Sequence, residues 1–282
     1  MAVAVSTLDG MLIALAQVCS GTDPAANLDV VRHYTGLAAD AGARLVVFPE
    51  ATMCRFGVPL KPVAEPLDGR WAGGVRSIAD KAGVLVIAGM FCPSPDGRVT
   101  NTLIATGAGI DTYYHKIHLY DAFGFAESRT VAPGHRPVLI ELDGVGIGLS
   151  TCYDVRFAAL YTELAQAGAD VITVSASWGS GPGKLEQWRL LCRARALDST
   201  SFVAAAGQAY PGDDVAAAKA PTGVGGSLVA TPMGDVIAEA GGGEQLVVAD
   251  IDVAQVRSAR DTLAVLRNRS QFAQVDRAES RG

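Results

Sequence analysis

Short apolar runs alternate with helical stretches along most of this chain, and this alternation restricts its fold more than any other feature. Residues 12–18 form the first apolar run and predict a buried strand. Thr22-Asp23-Pro24 then predicts a helix start, and Gly42 predicts its end. The same signals predict strands over 44–48, 84–89, 171–175, 202–206 and 245–251, and helices over 71–82, 158–167, 184–198 and after a cap at Asp252. Strands and helices in alternation favour an α/β fold.

Three further pairs of strands are separated by short turn sequences and predict hairpins. The pairs are 99–106 with 111–115, 137–142 with 145–150, and 227–230 with 235–239. Asp143-Gly144 is a strong hairpin signal, because both residues tolerate the left-handed backbone of a two-residue turn. Two strand–helix halves around paired hairpins predict two central sheets with helices outside, which is a four-layer αββα sandwich.

The chain has 282 residues, of which 49% are hydrophobic and 18% are charged, as is typical of a globular protein. No linker rich in proline or serine divides it. We therefore expect one domain over residues 11–272, an N-terminal extension at 1–10 and a C-terminal tail at 273–282. The stretch 209–226 is predicted to be a long loop, which is either functional or mobile, or an inert surface insertion.

Charge and composition disfavour several classes of partner. The formal net charge is -6 and there is no basic run, which argues against nucleic acid as a partner. No stretch reaches the roughly 18 uninterrupted apolar residues of a membrane helix, and residues 2–9 lack the basic start of a secretory signal. The five cysteines are scattered and odd in number, which favours reduced thiols in the cytoplasm over a disulfide framework.

Three short segments each place one ionisable side chain close to the end of a predicted strand. Glu50 follows the apolar run 45–49, Lys116 follows the strand at 111–115, and Cys152 follows the strand at 145–150. A carboxylate, an ammonium and a thiol brought together would supply a general base, an oxyanion-binding group and a nucleophile. Such a set can hydrolyse an amide through a thioester, with the N–H of Tyr153 as a second donor to the oxyanion.

Each of these residues also has an ordinary structural interpretation when it is taken alone. An apolar-flanked cysteine such as Cys152 is more often a buried core residue. Glu50 alone suits a capping or solvated carboxylate at a strand end, and Lys116 alone suits a surface lysine with its stem on apolar neighbours. The prediction of a catalytic site therefore depends on the combination of all three.

That combination resembles the nitrilase superfamily of carbon-nitrogen hydrolases. The matching segments occur in the family's order: Phe48-Pro49-Glu50, 114–119, Glu127-Ser128, Pro133-Gly134, 152–157, 168–172, 193–196, Gly226-Ser227 and Pro232-Met233-Gly234. The likeness spans nearly all of residues 11–272. It implies the αββα sandwich, a catalytic triad of Glu50, Lys116 and Cys152, a supporting glutamate at Glu127, no cofactor, and a homodimer or higher oligomer formed through helical faces.

The residues after the nucleophile carry information about the branch of the superfamily. True nitrilases usually show Cys-Trp-Glu, whereas this chain has Cys152-Tyr153-Asp154, which resembles the amidase branches. The likeness is greatest to the Nit-type amidases, which include omega-amidase and deaminated-glutathione amidase. The chain departs from omega-amidase in a shorter stretch at 121–127, and it has Gln187-Trp188 where these relatives have His-Trp. Both departures concern the substrate and leave the triad unchanged.

Four further residues are predicted to face the substrate: Tyr153, Arg156, Ser177 and Trp178. Trp178 lies near the end of a predicted strand, where α/β proteins place ligand contacts, and a core aromatic is the alternative interpretation. Arg156 would suit a carboxylate on the substrate, or it forms a structural ion pair.

Two other patterns partly resemble binding sites. His115 and His118 have the spacing of a metal pair, but Lys116 between them would oppose a cation and no third ligand is apparent, so no metal is predicted. The glycine-rich stretch 223–226 lacks the Lys-Ser/Thr of a phosphate loop and is interpreted as a flexible turn.

Three functions follow from these observations. The first is an amidase that cleaves a small carboxylate-bearing amide to acid and ammonia. The second is a nitrilase or a carbamoyl-amine hydrolase. The third, from another class, is a non-catalytic binding or scaffold protein of the same fold, which the intact triad positions disfavour.

Overall fold

The computed structural model describes residues 10–122, 124–216 and 220–270 and contains two β-sheets. The first sheet has the spatial order β13-β1-β2-β3-β4-β5, with β6 paired to β4, and the second has the order β12-β11-β10-β9-β8-β7. The first comprises β1 Gly10–Gln17, β2 Leu45–Val47, β3 Leu85–Pro93, β4 Val99–Gly107, β5 Ile110–His115, β6 Val131–Ala132 and β13 Gln245–Asp252. The second comprises β7 Leu139–Leu142, β8 Val145–Thr151, β9 Val171–Ala176, β10 Phe202–Gly207, β11 Leu228–Ala230 and β12 Val236–Glu239.

Six helices accompany the sheets in the described ranges: α1 Pro24–Asp40, α2 Arg70–Ala82, α3 Ala158–Gln166, α4 Lys184–Ser199, α5 Asp213–Ala216 and α6 Ala254–Leu263. The side chain of Asp23 caps α1 by accepting from the N–H of Ala25, as predicted. The cap of α6 falls at Val253, one residue after the predicted Asp252, although Asp252 still accepts from the first N–H of that helix. None of the helices in these ranges has both the length and the apolar character needed to cross a membrane.

Three apolar layers hold the sheets and helices together. Between the sheets, Ile13 and Leu15 of β1 pack in one cluster with Ile147 of β8. A second cluster joins the first sheet to α1 and α2, and a third joins the second sheet to α3 and α4. Full burial of one such aliphatic side chain contributes about 1.5–3 kcal/mol. The layers follow the order helix, sheet, sheet, helix, which confirms the predicted αββα sandwich.

The predicted hairpins form, and the turn at Asp143-Gly144 explains one of them. Leu142 pairs with Val145, and both turn residues have positive φ, at 52° and 81°. That backbone matches the twist of the flanking strands in a two-residue hairpin. The structure differs from the prediction in β3, which continues to Pro93, in the unpredicted strand β6, and in α5, which lies within the predicted loop at 209–226.

The predicted extension and tail fall on residues outside the described ranges, apart from Gly10, which begins β1. The described part of the chain places the predicted site at one end of both sheets. Glu50 lies beyond β2 and Lys116 beyond β5 in the first sheet, while Cys152 lies beyond β8 in the second. The site is therefore built where the two sheets meet.

Candidate active site

The predicted base, ammonium and thiol lie together in a buried site. Glu50 is 1% exposed, Lys116 is 2% exposed and Cys152 is 9% exposed. The Nζ atom of Lys116 lies 2.9 Å from Oε1 of Glu50. The Sγ atom of Cys152 donates to the carbonyl of Ser177 at 3.8 Å, and the backbone N–H of the same serine donates to Glu50. Glu50 therefore bonds directly to Lys116 and shares the neighbour Ser177 with Cys152.

Three donors fix the carboxylate of Glu50. Its Oε1 accepts from Lys116 and, at 2.7 Å, from Nδ2 of Asn101. Its Oε2 accepts from the backbone N–H of Ser177 at 2.9 Å, just beyond β9. Both oxygens are held by groups on separate elements, so the carboxylate has one well-defined orientation toward the thiol.

Glu127 is the second carboxylate partner of Lys116. It lies on a 3₁₀ turn at Glu127–Arg129, and its Oε2 and Oε1 are 2.9 Å and 3.2 Å from Nζ. The N–H of Tyr120 donates to Oε2 at 2.6 Å and holds it in place. Burial opposes the charge on Lys116, but Glu50 and Glu127 outweigh that effect and raise the pKa of the ammonium well above its usual value.

Cys152 occupies a strained position between strand and helix. It opens a 3₁₀ turn at Cys152–Arg156, directly after β8, and has φ of 45°. Residues other than glycine rarely adopt this conformation. It costs of order 1–3 kcal/mol, and residues that adopt it are concentrated at functional sites. Burial, followed by the Glu50 carboxylate, raises the pKa of the thiol well above its usual value, and Lys116 acts in the opposite direction. The resting side chain is therefore a thiol.

A cavity of about 600 Å³ opens above these groups. It is lined by the four residues that the sequence predicts to face the substrate, Tyr153, Arg156, Ser177 and Trp178, and also by Glu50, Lys116, Glu127 and Cys152. Phe56, Leu60, Phe125 and Pro221 form apolar parts of the wall. This volume lies within the usual range of small-molecule sites.

The four predicted contact residues have distinct surroundings. Arg156 donates from Nη2 to Oε1 of Gln187 at 3.1 Å, and its guanidinium lies 5.1 Å from the Trp178 ring centroid and 5.9 Å from that of Tyr153. Ser177 donates its hydroxyl to the carbonyl of Pro221. Arg156 therefore bonds to a neutral amide, not to the acidic partner of a structural ion pair.

The two histidines that have the spacing of a metal pair bond to different partners. His115 is hydrogen-bonded to the hydroxyl of Thr102 at 2.9 Å, and His118 to Asp154 at 2.7 Å. Within the described ranges, no group of three or more His, Cys, Asp or Glu side chains is arranged to hold a metal ion. The stretch 223–226 borders the site, since the N–H of Gly223 donates to the Trp178 carbonyl at 3.2 Å.

Comparison with known families agrees with this geometry. The family model of carbon-nitrogen hydrolases matches residues 12–261. The chain belongs to the carbon-nitrogen hydrolase family. This family assignment confirms the resemblance to the nitrilase superfamily that the sequence motifs indicate.

Individual relatives share the fold over almost the whole chain. A hydrolase of Mycobacterium tuberculosis is 68% identical over 280 residues, covering 96% of this chain and 100% of that protein. Deaminated glutathione amidase of Escherichia coli O157:H7 is 34% identical over 265 residues, covering 92% and 97%. The crystal structure of Saccharomyces cerevisiae Nit3, a member of branch 10 of the nitrilase superfamily, has 25% identity and a TM-score of 0.80, covering 90% of this chain and 94% of that one.

Sequence reasoning missed Asn101, which organises the hydrolase site from β4. Its Nδ2 donates to Glu50 at 2.7 Å and to Glu127 at 3.3 Å, and its backbone carbonyl accepts from the N–H of Lys116 at 2.9 Å. The side-chain amide thus orients both carboxylates, and the backbone of the same residue positions the lysine. The available signal was a single amide between Thr100 and Thr102 in a predicted strand.

Asp154, which the sequence analysis uses only as part of the branch motif Cys152-Tyr153-Asp154, connects the two sheets. Its fully buried carboxylate accepts from the Thr151 N–H at 2.9 Å, the Tyr114 hydroxyl at 2.7 Å and the His118 N–H at 3.0 Å. It is also bonded to the ring of His118. Asp154 therefore ties the turn that carries Cys152 to the segment that carries Lys116.

Gly89 gives a testable requirement for the position of Glu50. A methyl group added there would lie 2.6 Å from the N atom of Ala51 and 2.9 Å from the Pro49 carbonyl oxygen. We expect Gly89→Ala to displace the Glu50 segment and to lower kcat by up to about 10²-fold, because small misplacements of reacting groups have effects of this size. Steady-state kinetics and urea unfolding would measure the effect.

Gly73→Ala is the matched control for this substitution. Gly73 lies on the exposed side of α2, and an added methyl group would meet nothing within 4 Å. We expect its activity to stay unchanged and its stability to rise by about 0.5–1 kcal/mol, the usual gain from Gly to Ala in a helix. Wild-type kcat in Gly89→Ala would show that this close approach does not position the base.

Proposed function

We propose that the protein hydrolyses a small carboxylate-bearing amide to its acid and ammonia, through a thioester on Cys152. The observation that carries this proposal is that Glu50, Lys116 and Cys152 line one cavity, where Glu50 bonds to Lys116 and its charge acts on the thiol of Cys152. The family assignment and the amidase among the similar proteins support it. We assign the catalytic roles to Glu50, Lys116 and Cys152, with Glu127 as the supporting carboxylate.

Acylation begins with the neutral thiol. Because the pKa of Cys152 is raised, its proton must leave as sulfur attacks the amide carbon, and in this proposal the neighbouring Glu50 carboxylate accepts it. The same group then protonates the departing ammonia. After ammonia leaves, Glu50 activates a water molecule that cleaves the thioester. No step of this scheme requires a cofactor.

The oxyanion is stabilised by Lys116 and by the backbone N–H of Tyr153. The ammonium of Lys116 contacts one oxygen of Glu50 and both oxygens of Glu127, and in this proposal the longer contact, at 3.2 Å to Glu127, gives way to the substrate oxygen. The N–H of Tyr153 follows the nucleophile in its 3₁₀ turn and is the second donor in this proposal. Loss of one such donor costs roughly 3–4 kcal/mol in comparable sites.

The charge of the cavity wall supports an anionic substrate. Six of the described lining residues are cationic, namely Lys61, Arg98, Lys116, Arg129, Arg156 and Lys184, and Arg98 among them forms an ion pair with Asp96. The two lining carboxylates, Glu50 and Glu127, both bond to Lys116. A chain of net charge -6 thus presents a cationic cavity, which attracts and retains anions. We propose that Arg156 binds a carboxylate a few bonds from the scissile carbonyl.

The alternatives have weaker support. A nitrilase or a carbamoyl-amine hydrolase would use the same three catalytic groups, but Cys152-Tyr153-Asp154 resembles the amidase branches. A non-catalytic binding or scaffold protein would have no need to keep a strained, buried thiol against a carboxylate. The amidase proposal therefore agrees with the largest set of observations.

We further propose a cytoplasmic homodimer. The five cysteines are free in the structure, which suits a reducing compartment. Leu190 and Leu197 are 66% and 40% exposed, and their spacing of seven residues places both on one face of α4. Gly234 lies against Leu197, and the preceding residue, Met233, is 47% exposed. An apolar helical face of this kind supports association with a second copy.

A substrate panel with mass spectrometry tests the proposed reaction. Ammonia release would be measured for amides, nitriles and carbamoyl compounds, and the intact protein would be weighed after rapid acid quenching. We expect turnover of acidic amides and an acyl adduct on the peptide that contains Cys152. Turnover of nitriles alone would favour the nitrilase alternative, and the absence of both product and adduct across the panel would exclude the proposal.

A further inference from the structure

A second cation lies close to Arg156 on the cavity wall. Lys184 lines the same cavity and begins α4. Trp178 connects the two: its Nε1 donates to the Lys184 carbonyl at 2.9 Å, and its ring lies 5.1 Å from the Arg156 guanidinium. Trp178 is only 5% exposed and packs against the ring of Trp188, so it is a fixed support for both cations.

The first turn of α4 carries a hydrogen-bond partner of Arg156. Gln187, which accepts from Arg156, stands three residues after Lys184 and therefore lies on the same face of the helix. No acidic side chain in the described part of the chain forms an ion pair with Arg156, and its buried Nε atom lacks a hydrogen-bond partner. Neutral groups hold the guanidinium in place, so its positive charge can interact with an anionic substrate.

The two cations also influence each other. Burial lowers the pKa of Lys184, the charge of Arg156 lowers it further, and the Cys152 sulfur has the opposite effect. Two like charges held on one wall repel each other, and an anion bound between them would relieve that repulsion. Lys184, Arg156 and Cys152 all line this cavity, so the pair of cations faces the same space as the nucleophile.

We infer that Lys184 is a specificity-determining residue, which forms with Arg156 a two-cation clamp for the substrate carboxylate, supported by Trp178. This inference rests on the proposed function for its choice of amide substrates and adds a residue to that site. Gln187 would set the orientation of the guanidinium. The clamp selects amides that carry a carboxylate over neutral amides of the same shape.

Binding in a hydrolysis-deficient background tests the clamp separately from the reaction. Straight-chain dicarboxylic monoamides of increasing length, and their methyl esters, would be titrated into Cys152→Ala by calorimetry. We expect the best acid to bind more tightly than its ester, and Lys184→Met to reduce that preference by about 10-fold or more, since hydrogen bonds to charged groups have this effect. Lys184→Arg should retain most of the preference.

Two further variants make the result specific. Lys81→Met removes a lysine from the exposed end of α2 and should leave the acid-to-ester ratio unchanged. Arg156→Met combined with Lys184→Met should lose less than the product of the two single effects, because both bind one carboxylate. An unchanged ratio in Lys184→Met, or no preference for any acid over its ester, would overturn the clamp even if hydrolysis is confirmed. Conversely, a clamp confirmed by binding would stand even if the substrate panel showed no turnover.

Discussion

Replacement of Cys152 by alanine is expected to abolish hydrolysis while the fold persists. The substitution removes the one sulfur atom among the described lining residues, and alanine can keep the positive φ of this position as well as cysteine does. Loss of a nucleophile lowers kcat by about 10⁴-fold or more in comparable hydrolases. Stability should change by about 1 kcal/mol or less, because the side chain shrinks by one atom. Ammonia release and urea unfolding would measure both effects.

Cys92→Ala is the matched control, because Cys92 is also buried but packs in the layer between the first sheet and its helices. We expect wild-type activity from it. We also expect a small alkylating agent that enters the cavity to label Cys152 of the wild-type protein before Cys54, Cys92 and Cys192, which are buried away from the cavity. Substantial turnover by a folded Cys152→Ala variant would contradict the thioester mechanism.

The elements that the sequence predicted well are those with strong local signals. Asp23 caps α1, Gly83 ends α2 with φ of 68°, and Asp143-Gly144 turns the β7–β8 hairpin. In each case the residue's own conformational preference determines the local backbone. The same is true of the buried strands, whose apolar runs are continuous because both faces of each sheet are covered.

The errors arise where long-range contacts determine the structure. Gly89 suggested the end of a strand, but β3 continues beyond this residue. Glycine is needed there because the backbone of Ala51 passes directly over Gly89. The short strand β6 exists only because it pairs with β4. No local pattern reveals either contact, since each depends on a segment far along the chain.

The candidate site also contains residues that local patterns predict and residues that depend on long-range contacts. Glu50, Lys116 and Cys152 each follow a strand, and parallel architecture brings such ends together, so their convergence was predictable. Asn101 and Asp154 act through partners that are 51 and 36 residues away, at Glu50 and His118. Their hydrogen bonds follow from the juxtaposition of the sheets, which single-sequence patterns do not contain.

Glu50→Gln is expected to lower kcat by several orders of magnitude. General base catalysis contributes about 10²–10⁴-fold, and in the proposed mechanism this carboxylate serves both acylation and deacylation. Glutamine must also turn its NH₂ toward one of the donors from Asn101, Lys116 or Ser177, which costs about 1–3 kcal/mol of stability. Single-turnover kinetics with an activated ester would separate the two half-reactions. Wild-type rates for both would make Glu50 a structural carboxylate.

Glu127→Gln is the control for the ion pair to Lys116 that Glu50→Gln removes. It also removes one carboxylate from Lys116, but Glu127 is not among the groups that raise the pKa of Cys152. We expect a smaller loss of kcat in this variant than in Glu50→Gln. Equal losses would indicate that both carboxylates act only by holding the ammonium in place.

The state of the thiol distinguishes a base from a simple ion-pair partner. The Glu50 carboxylate raises the pKa of Cys152, and Lys116 lowers it, so Glu50→Gln should lower that pKa and produce thiolate at a lower pH than in the wild type. Ultraviolet absorbance of the thiolate, with Cys152→Ala as the blank, would follow this change. If Glu50 is the base, the variant has more thiolate and less activity at the same pH. Activity that rose together with the thiolate would instead assign activation of the nucleophile to Lys116.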